Sequence, residues 1–124
     1  MPGYIMPEPD DMGPDAAASV ELRAEVQYDH GNHRWRWSSA GELVPSMREA
    51  ARTPRDLQVM LTVYGRIAAR LLEKDKLVLR ARVTAHWLPT GGTAIGSYDW
   101  YRSAETGRLI PAQEPWTLWP GTMR

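Results

Sequence analysis

The chain has 124 residues, 43% of them apolar and 24% charged, which is the size and composition of one globular domain and too apolar for a wholly disordered chain. It contains no cysteine, so disulfides, thiolate metal sites and a cysteine nucleophile are excluded. Its net charge is zero, but residues 1–15 hold Glu8, Asp10, Asp11 and Asp15 without a Lys or Arg, a charge of −4 that leaves +4 on the remainder. That balance falls far short of a typical DNA-binding domain. Of the 15 basic residues all but Lys74 and Lys76 are arginine. No apolar stretch approaches the length of a bilayer span, and the N-terminus has neither the basic region nor the apolar core of a secretory signal. A cytoplasmic protein without membrane contact is the expectation.

In chain order, residues 1–17 carry four prolines and two glycines, which suit neither helix nor sheet, and predict a flexible acidic tail. Its Tyr4, Ile5 and Met6 could dock onto a neighbouring subunit. Residues 18–124 are expected to form one domain. Val20, Leu22, Ala24, Val26 and Tyr28 alternate with Glu21, Arg23, Glu25 and Gln27, the period of a half-buried strand. Asp29-His30-Gly31-Asn32 reads as a turn, and His33–Trp37 as the second strand of a hairpin, with Trp35 and Trp37 on one face and Arg34 and Arg36 on the other.

Ser46-Met47-Arg48-Glu49 has the Ser-x-x-Glu form of a capping box and predicts a short helix to Arg52. Thr53-Pro54-Arg55-Asp56 then starts a long helix reaching about Lys74: Thr at the N-cap, Pro at the first helical position, an acid in the first turn. Its apolar residues, Met60, Val63, Ile67 and Leu71 among them, cover about half the circumference. That arc is wide enough to cover a sheet and also touch a second element. A third strand is expected over Leu77–Trp87, a fourth over Ser97–Arg102, and a short fifth over Arg108–Ile110 ended by Pro111; the segment through Trp116 and Trp119 reads as extended. The order β-β-α-α-β-β-β implies an α+β fold of two layers, an antiparallel sheet of about five strands covered by one long helix.

Two constellations stand out. Arg23, Arg34, Arg36, Arg80 and Arg82 fall on outward positions of three strands and would share one surface. Beside aromatic rings such a surface suits single-stranded nucleic acid or an acidic protein. Glu21 and Glu25 lie on that face too, so a merely solvated face is the plain alternative. Trp35, Trp37, Trp87 and Trp100 occupy strand positions and are expected in the core. Trp116 and Trp119 lie in a Pro-bounded, non-periodic segment that could fold back or dock into a partner.

Other motifs carry less. His30 and His33 with Asp29 lack a third well-placed ligand, so no metal site and no cofactor is expected. Thr90-Gly91-Gly92-Thr93 lacks both a following helix and a P-loop lysine, and reads as a hairpin loop. No Gly-x-Ser-x-Gly elbow is present. The leading expectation is therefore a non-catalytic interaction or adaptor protein. It would bind a protein partner or self-associate, and its small size and arginine bias suit a bacterial or phage accessory protein. The alternatives are a nucleic-acid-binding module using the arginine face, and a small enzyme with a pocket between helix and sheet and His33 or His86 as base.

Overall fold

The computed structural model describes residues 19–28 and 36–120. In chain order these form β1 (Val20–Tyr28), β2 (Ser38–Ser39), β3 (Met47–Glu49), helix α1 (Pro54–Leu72), β4 (Val78–Trp87), a 3₁₀ turn (Leu88–Thr90), β5 (Thr93–Arg102), β6 (Leu109–Pro111) and β7 (Trp116–Thr117). The expected α+β architecture is present: one antiparallel sheet with one long helix laid across a single face. The sheet is larger than expected, with seven strands among the described residues. Three long strands in the order β1-β4-β5 form its centre. Each edge is split between two short strands: β2 and β3 both pair with β1, and β6 and β7 both pair with β5.

The alternation read from the first strand sets the two faces. Val20, Leu22, Ala24 and Val26 are buried towards the helix beside Ala81, Val83 and Ala85 of β4. Two register shifts adjust this pattern. Tyr28 pairs with Val78 whereas Gln27 pairs with Arg80, so Leu79 is skipped and Val78 turns into the core. Ile95 is skipped in the same way between the pairs Ala85–Gly96 and His86–Ala94, and it too is fully buried. An extra residue in one strand re-aims the neighbouring side chain in this way. Leu77, expected as the first residue of this strand, lies just before it and is exposed.

Helix α1 seats Leu57, Leu61, Tyr64, Gly65, Ala68, Ala69 and Leu72 on the sheet. A Cβ added at Gly65 would meet Tyr98 Cδ2 at 2.8 Å, and one at Gly96 would meet Leu61 Cδ1 at 2.6 Å. These two glycines let helix and sheet approach closely across the Tyr98–Trp100 ring pair, whose centroids lie 4.9 Å apart. Trp100 Nε1 is buried there without a hydrogen-bond partner.

The two ends of the helix are held by different means. At the start Thr53 Oγ1 accepts from Asp56 N at 3.1 Å, and Asp56 Oδ2 accepts from Arg52 N at 2.8 Å and Thr53 N at 3.2 Å. Those backbone donors, Arg52 N foremost, hold the Asp56 carboxyl below its ordinary pKa of 3.8. At the end Arg102 of β5 reaches across and donates to four backbone carbonyls: Val78 O at 3.0 Å, Glu73 O at 3.1 Å, Asp75 O at 2.8 Å and Gly107 O at 2.8 Å. Its positive charge also sits at the negative end of the helix dipole.

Three expectations are corrected. Residues 47–49 form a strand, not the first turn of a short helix: Val20, Glu21 and Leu22 of β1 pair with Glu49, Arg48 and Met47, and that pairing outweighs a local capping pattern. Arg36 and Trp37 precede a strand rather than form one, and the residue pair that joins β1 is Ser38–Ser39; the proposed strand residues His33, Arg34 and Trp35 lie outside the described residues, as does the predicted tail. The fourth strand starts at Thr93, four residues earlier than expected, because β5 follows β4 almost to the hairpin turn, where Gly91 and Gly92 take φ of 88° and 92°.

Candidate functional site: the outer face of the sheet

The face of the sheet turned away from α1 is built by the alternate residues of the three long strands. In register across β1, β4 and β5 it carries Glu21–His86–Ala94, Arg23–Thr84–Ser97, Glu25–Arg82–Asp99 and Gln27–Arg80–Tyr101. Directly opposed residues of an antiparallel pair share a face. The same rule adds Arg48 of β3 opposite Glu21, Ile110 of β6 opposite Tyr101, and Trp116 of β7 opposite Ser97.

The arginines on this face are interleaved with carboxylates and largely engaged by them. Arg82 holds Asp99 through two parallel bonds, Nε to Oδ1 at 2.9 Å and Nη2 to Oδ2 at 3.0 Å. Its guanidinium carbon lies 4.2 Å from the ring centroid of Trp37, a cation–π contact. The bond to Asp99 raises the Arg82 pKa, with Glu25 adding to it through its charge. Arg23 donates to Glu21 Oε1 through Nε at 2.8 Å and Nη2 at 2.6 Å, while Arg48 approaches the other oxygen at 3.5 Å. Glu21 is held below its ordinary pKa first by the Arg23 bond, against the opposing effect of its own burial. A forked arginine–carboxylate pair fixes both groups in orientation as well as charge.

His86 is committed as well. Its Nδ1 faces the Gly92 carbonyl at 3.1 Å, and since a carbonyl only accepts, Nδ1 carries the proton. Nε2 meets the Thr84 hydroxyl at 2.8 Å and in the neutral ring accepts from it. The helix–sheet seam, where a small enzyme would need its pocket, is occupied by Leu57, Leu61, Tyr64, Tyr98 and Trp100. Among the described residues no group of three or more His, Cys, Asp or Glu could hold a metal ion, and no helix is long and apolar enough to cross a membrane.

The aromatic residues divide. Trp100 is buried, as expected. Trp87 is partly buried and meets Trp119 edge to face, with centroids 5.8 Å apart, so the C-terminal segment folds back at Trp119. Trp37 is not in the core; it rests on Arg82 on the outer face. Trp116 remains 50% exposed and Tyr101 42% exposed. Arg80 sits beside Tyr101 in a shallow depression bounded by Trp37, Asp99 and Ala112. Of the residues singled out from sequence, the structure therefore brings Arg23, Arg80, Arg82 and Trp116 onto one face with the exposed Arg36 next to Trp37. It sends Trp119 elsewhere, and Arg34 is not among the described residues. Sequence reasoning missed Tyr101 and Asp99; both follow from carrying the outward alternation of β4 into its neighbour.

Comparison with protein-family models, with curated proteins and with solved structures finds no match to this chain.

Proposed function

We propose that this chain is a non-catalytic binding protein that docks a protein partner on the outer face of its sheet. The observation that carries this reading is the composition of that face: exposed Trp116 and Tyr101 stand on either side of the pre-oriented Arg82–Asp99 pair, with a second pair, Arg23–Glu21, on β1. Aromatic anchors and arginine dominate protein interfaces energetically, and ion pairs already formed cost less to order on binding. The same pairing argues against a nucleic-acid surface. Phosphate binding draws on uncompensated positive charge, and here Glu21, Glu25 and Asp99 interrupt the arginine rows.

Affinity purification from source cells with the wild-type chain and a Tyr101→Ala/Trp116→Ala variant tests this, with labelled single- and double-stranded DNA and RNA titrated in parallel at low and moderate salt. The expected outcome is a protein bound stoichiometrically by the wild type and lost from the variant. Recovery of the same proteins by both chains, or salt-sensitive nucleic-acid binding that falls in Arg36→Ala/Arg80→Ala, would sink it.

A further inference from the structure

The opposite side of the molecule carries a second surface, independent of the sheet face. Helix α1 uses only part of its apolar arc against the sheet. Val59, Val63 and Ile67 stand on its outer side at 47%, 50% and 51% exposure, three large apolar residues at a spacing of four. Met47 of β3 and Met60 flank them and widen the stripe into a shallow apolar groove. A stripe of this kind on an exposed helix calls for a partner.

The pattern around the stripe says which partner. Counting from Val63, Val59 and Ile67 lie four residues before and after, and Asp56 and Arg70 lie seven before and after. Residues four and seven apart fall on one side of a helix. The order acid, apolar, apolar, apolar, base therefore has the same spacing from either end. Two such helices packed antiparallel about a two-fold axis at Val63 would set Val59 against the partner copy's Ile67, and Asp56 against its Arg70, twice over. An isologous interface has this reciprocity, each contact occurring in both directions. The charges also fit their other duties. Both backbone bonds to Asp56 end on Oδ2, so its second oxygen is not used by the cap, and Arg70 is exposed. The sheet offers no comparable route, because its edges are lined by strands of two and three residues, and short edge strands resist strand-to-strand pairing.

We infer that the chain self-associates as an antiparallel two-fold dimer through the Val59–Val63–Ile67 stripe of α1. The contact is a helix pair with a modest apolar flank, smaller than the roughly 800 Å² per partner of a standard interface, so the dimer is weak and reversible.

The absence of cysteine gives a direct test. Full-length Val63→Cys is oxidised beside Ala94→Cys, which lies exposed on the outer sheet face. Residue 63 meets its own copy on the axis, so Val63→Cys is expected to cross-link efficiently and Ala94→Cys only at the level of random collision. In parallel, sedimentation velocity from low to high micromolar concentration follows the wild type, Val63→Glu and Arg70→Glu. The wild type is expected to dimerise. Val63→Glu, which buries two carboxylates against each other, should weaken the dimer at least about tenfold, and Arg70→Glu, which faces Asp56 with a like charge, should weaken it less. Residue 63 is exposed, so at concentrations where the wild type is monomeric the circular-dichroism melt of Val63→Glu should match it, whereas Arg70→Glu, which puts an acid in the last helical turn near Glu73, should melt slightly lower. A wild type monomeric at every concentration, equal cross-linking of the two cysteine variants, or a dimer indifferent to Val63→Glu would overturn the inference. A monomer would leave the stripe to the chain's own first eighteen residues or to another protein. Val63 and Arg70 lie on the helix, away from the outer sheet face, so partner binding there should persist in Val63→Glu, and either surface can fail without the other.

Discussion

The two ends of α1 solve one problem with opposite means. The first turn is closed from within four residues of itself, by Thr53 and Asp56. The last turn is closed in part by its own backbone, Asp75 N donating to Leu72 O at 3.1 Å, and in part from 29 residues away, by the Arg102 guanidinium on β5 at Glu73 O. A helix leaves unpaired N–H groups at one end and unpaired C=O groups at the other. Short polar side chains that accept are common near helix starts, whereas a donor able to satisfy several carbonyls at once must be long and charged. The lesson is that a local cap fixes where a helix begins, and a remote one fixes the helix to the sheet.

The largest test of that contrast is Arg102→Ala. It strips partners from four carbonyls at once and should lower stability by about 2–4 kcal/mol in urea unfolding. Amide exchange should accelerate in the last turn of α1 and in the turn at Gly107 together. Arg102→Lys should recover little, since an ammonium cannot span the same four acceptors. Thr53→Ala should cost about 1 kcal/mol, with faster exchange confined to the first helical turn. If Thr53→Ala destabilised the protein as much as Arg102→Ala, the distinction between local and remote closure would collapse.

The middle of the helix gives a smaller, pH-dependent effect. Tyr64 donates to Pro45 O at 3.0 Å, and burial, with the nearby Glu21 charge, pushes its pKa from 10.0 up to about 12. The folded state thus favours the protonated phenol. This contribution is complete below pH 10 and is lost as pH rises from the unfolded value through about 12. Thermal melts should show stability falling across that window in the wild type and falling less in Tyr64→Phe. At the acid side, burial alone would raise the Glu73 pKa, but the Leu109 N–H and Arg108 outweigh it and hold it below 4.5. Its contribution is therefore present above pH 4.5 and lost as the pH drops through the folded value; Glu73→Gln should flatten that loss. The smallest change is expected for Arg23→Ala on the outer face, within about 0.5 kcal/mol, because exposed ion pairs contribute little to stability.

What could be read from sequence follows the same division between local and remote. The period of two in residues 20–28, the Thr53-Pro54 start and the helical spacing after it are local signals; β1 and the start of α1 stand where those signals put them, and α1 ends at Leu72, two residues before the expected Lys74. Met47–Glu49 failed because a capping pattern was in competition with a sheet edge that only the folded chain presents. Trp37 was misplaced for a related reason: it lies just before β2 and not within a strand, so alternation says nothing of its face, and Arg82 supplies its partner from 45 residues away. The outer face itself was legible in part, since the outward positions of β1 and β4 were read correctly. The pairing of Arg82 was not, because Asp99 is set opposite it only by the β4–β5 register.

Arg102 also has a consequence during synthesis. Thirty residues separate Leu72 from Arg102. At a typical translation rate of about 5–20 residues per second, a nascent chain holds a complete helix sequence for roughly 2–6 s before the closing guanidinium has even been made. β4 is complete only halfway through that interval and β5 only at its end. The helix therefore cannot be fixed to the sheet until the whole of β5 has been made, and its docking is a late event in the growth of the chain.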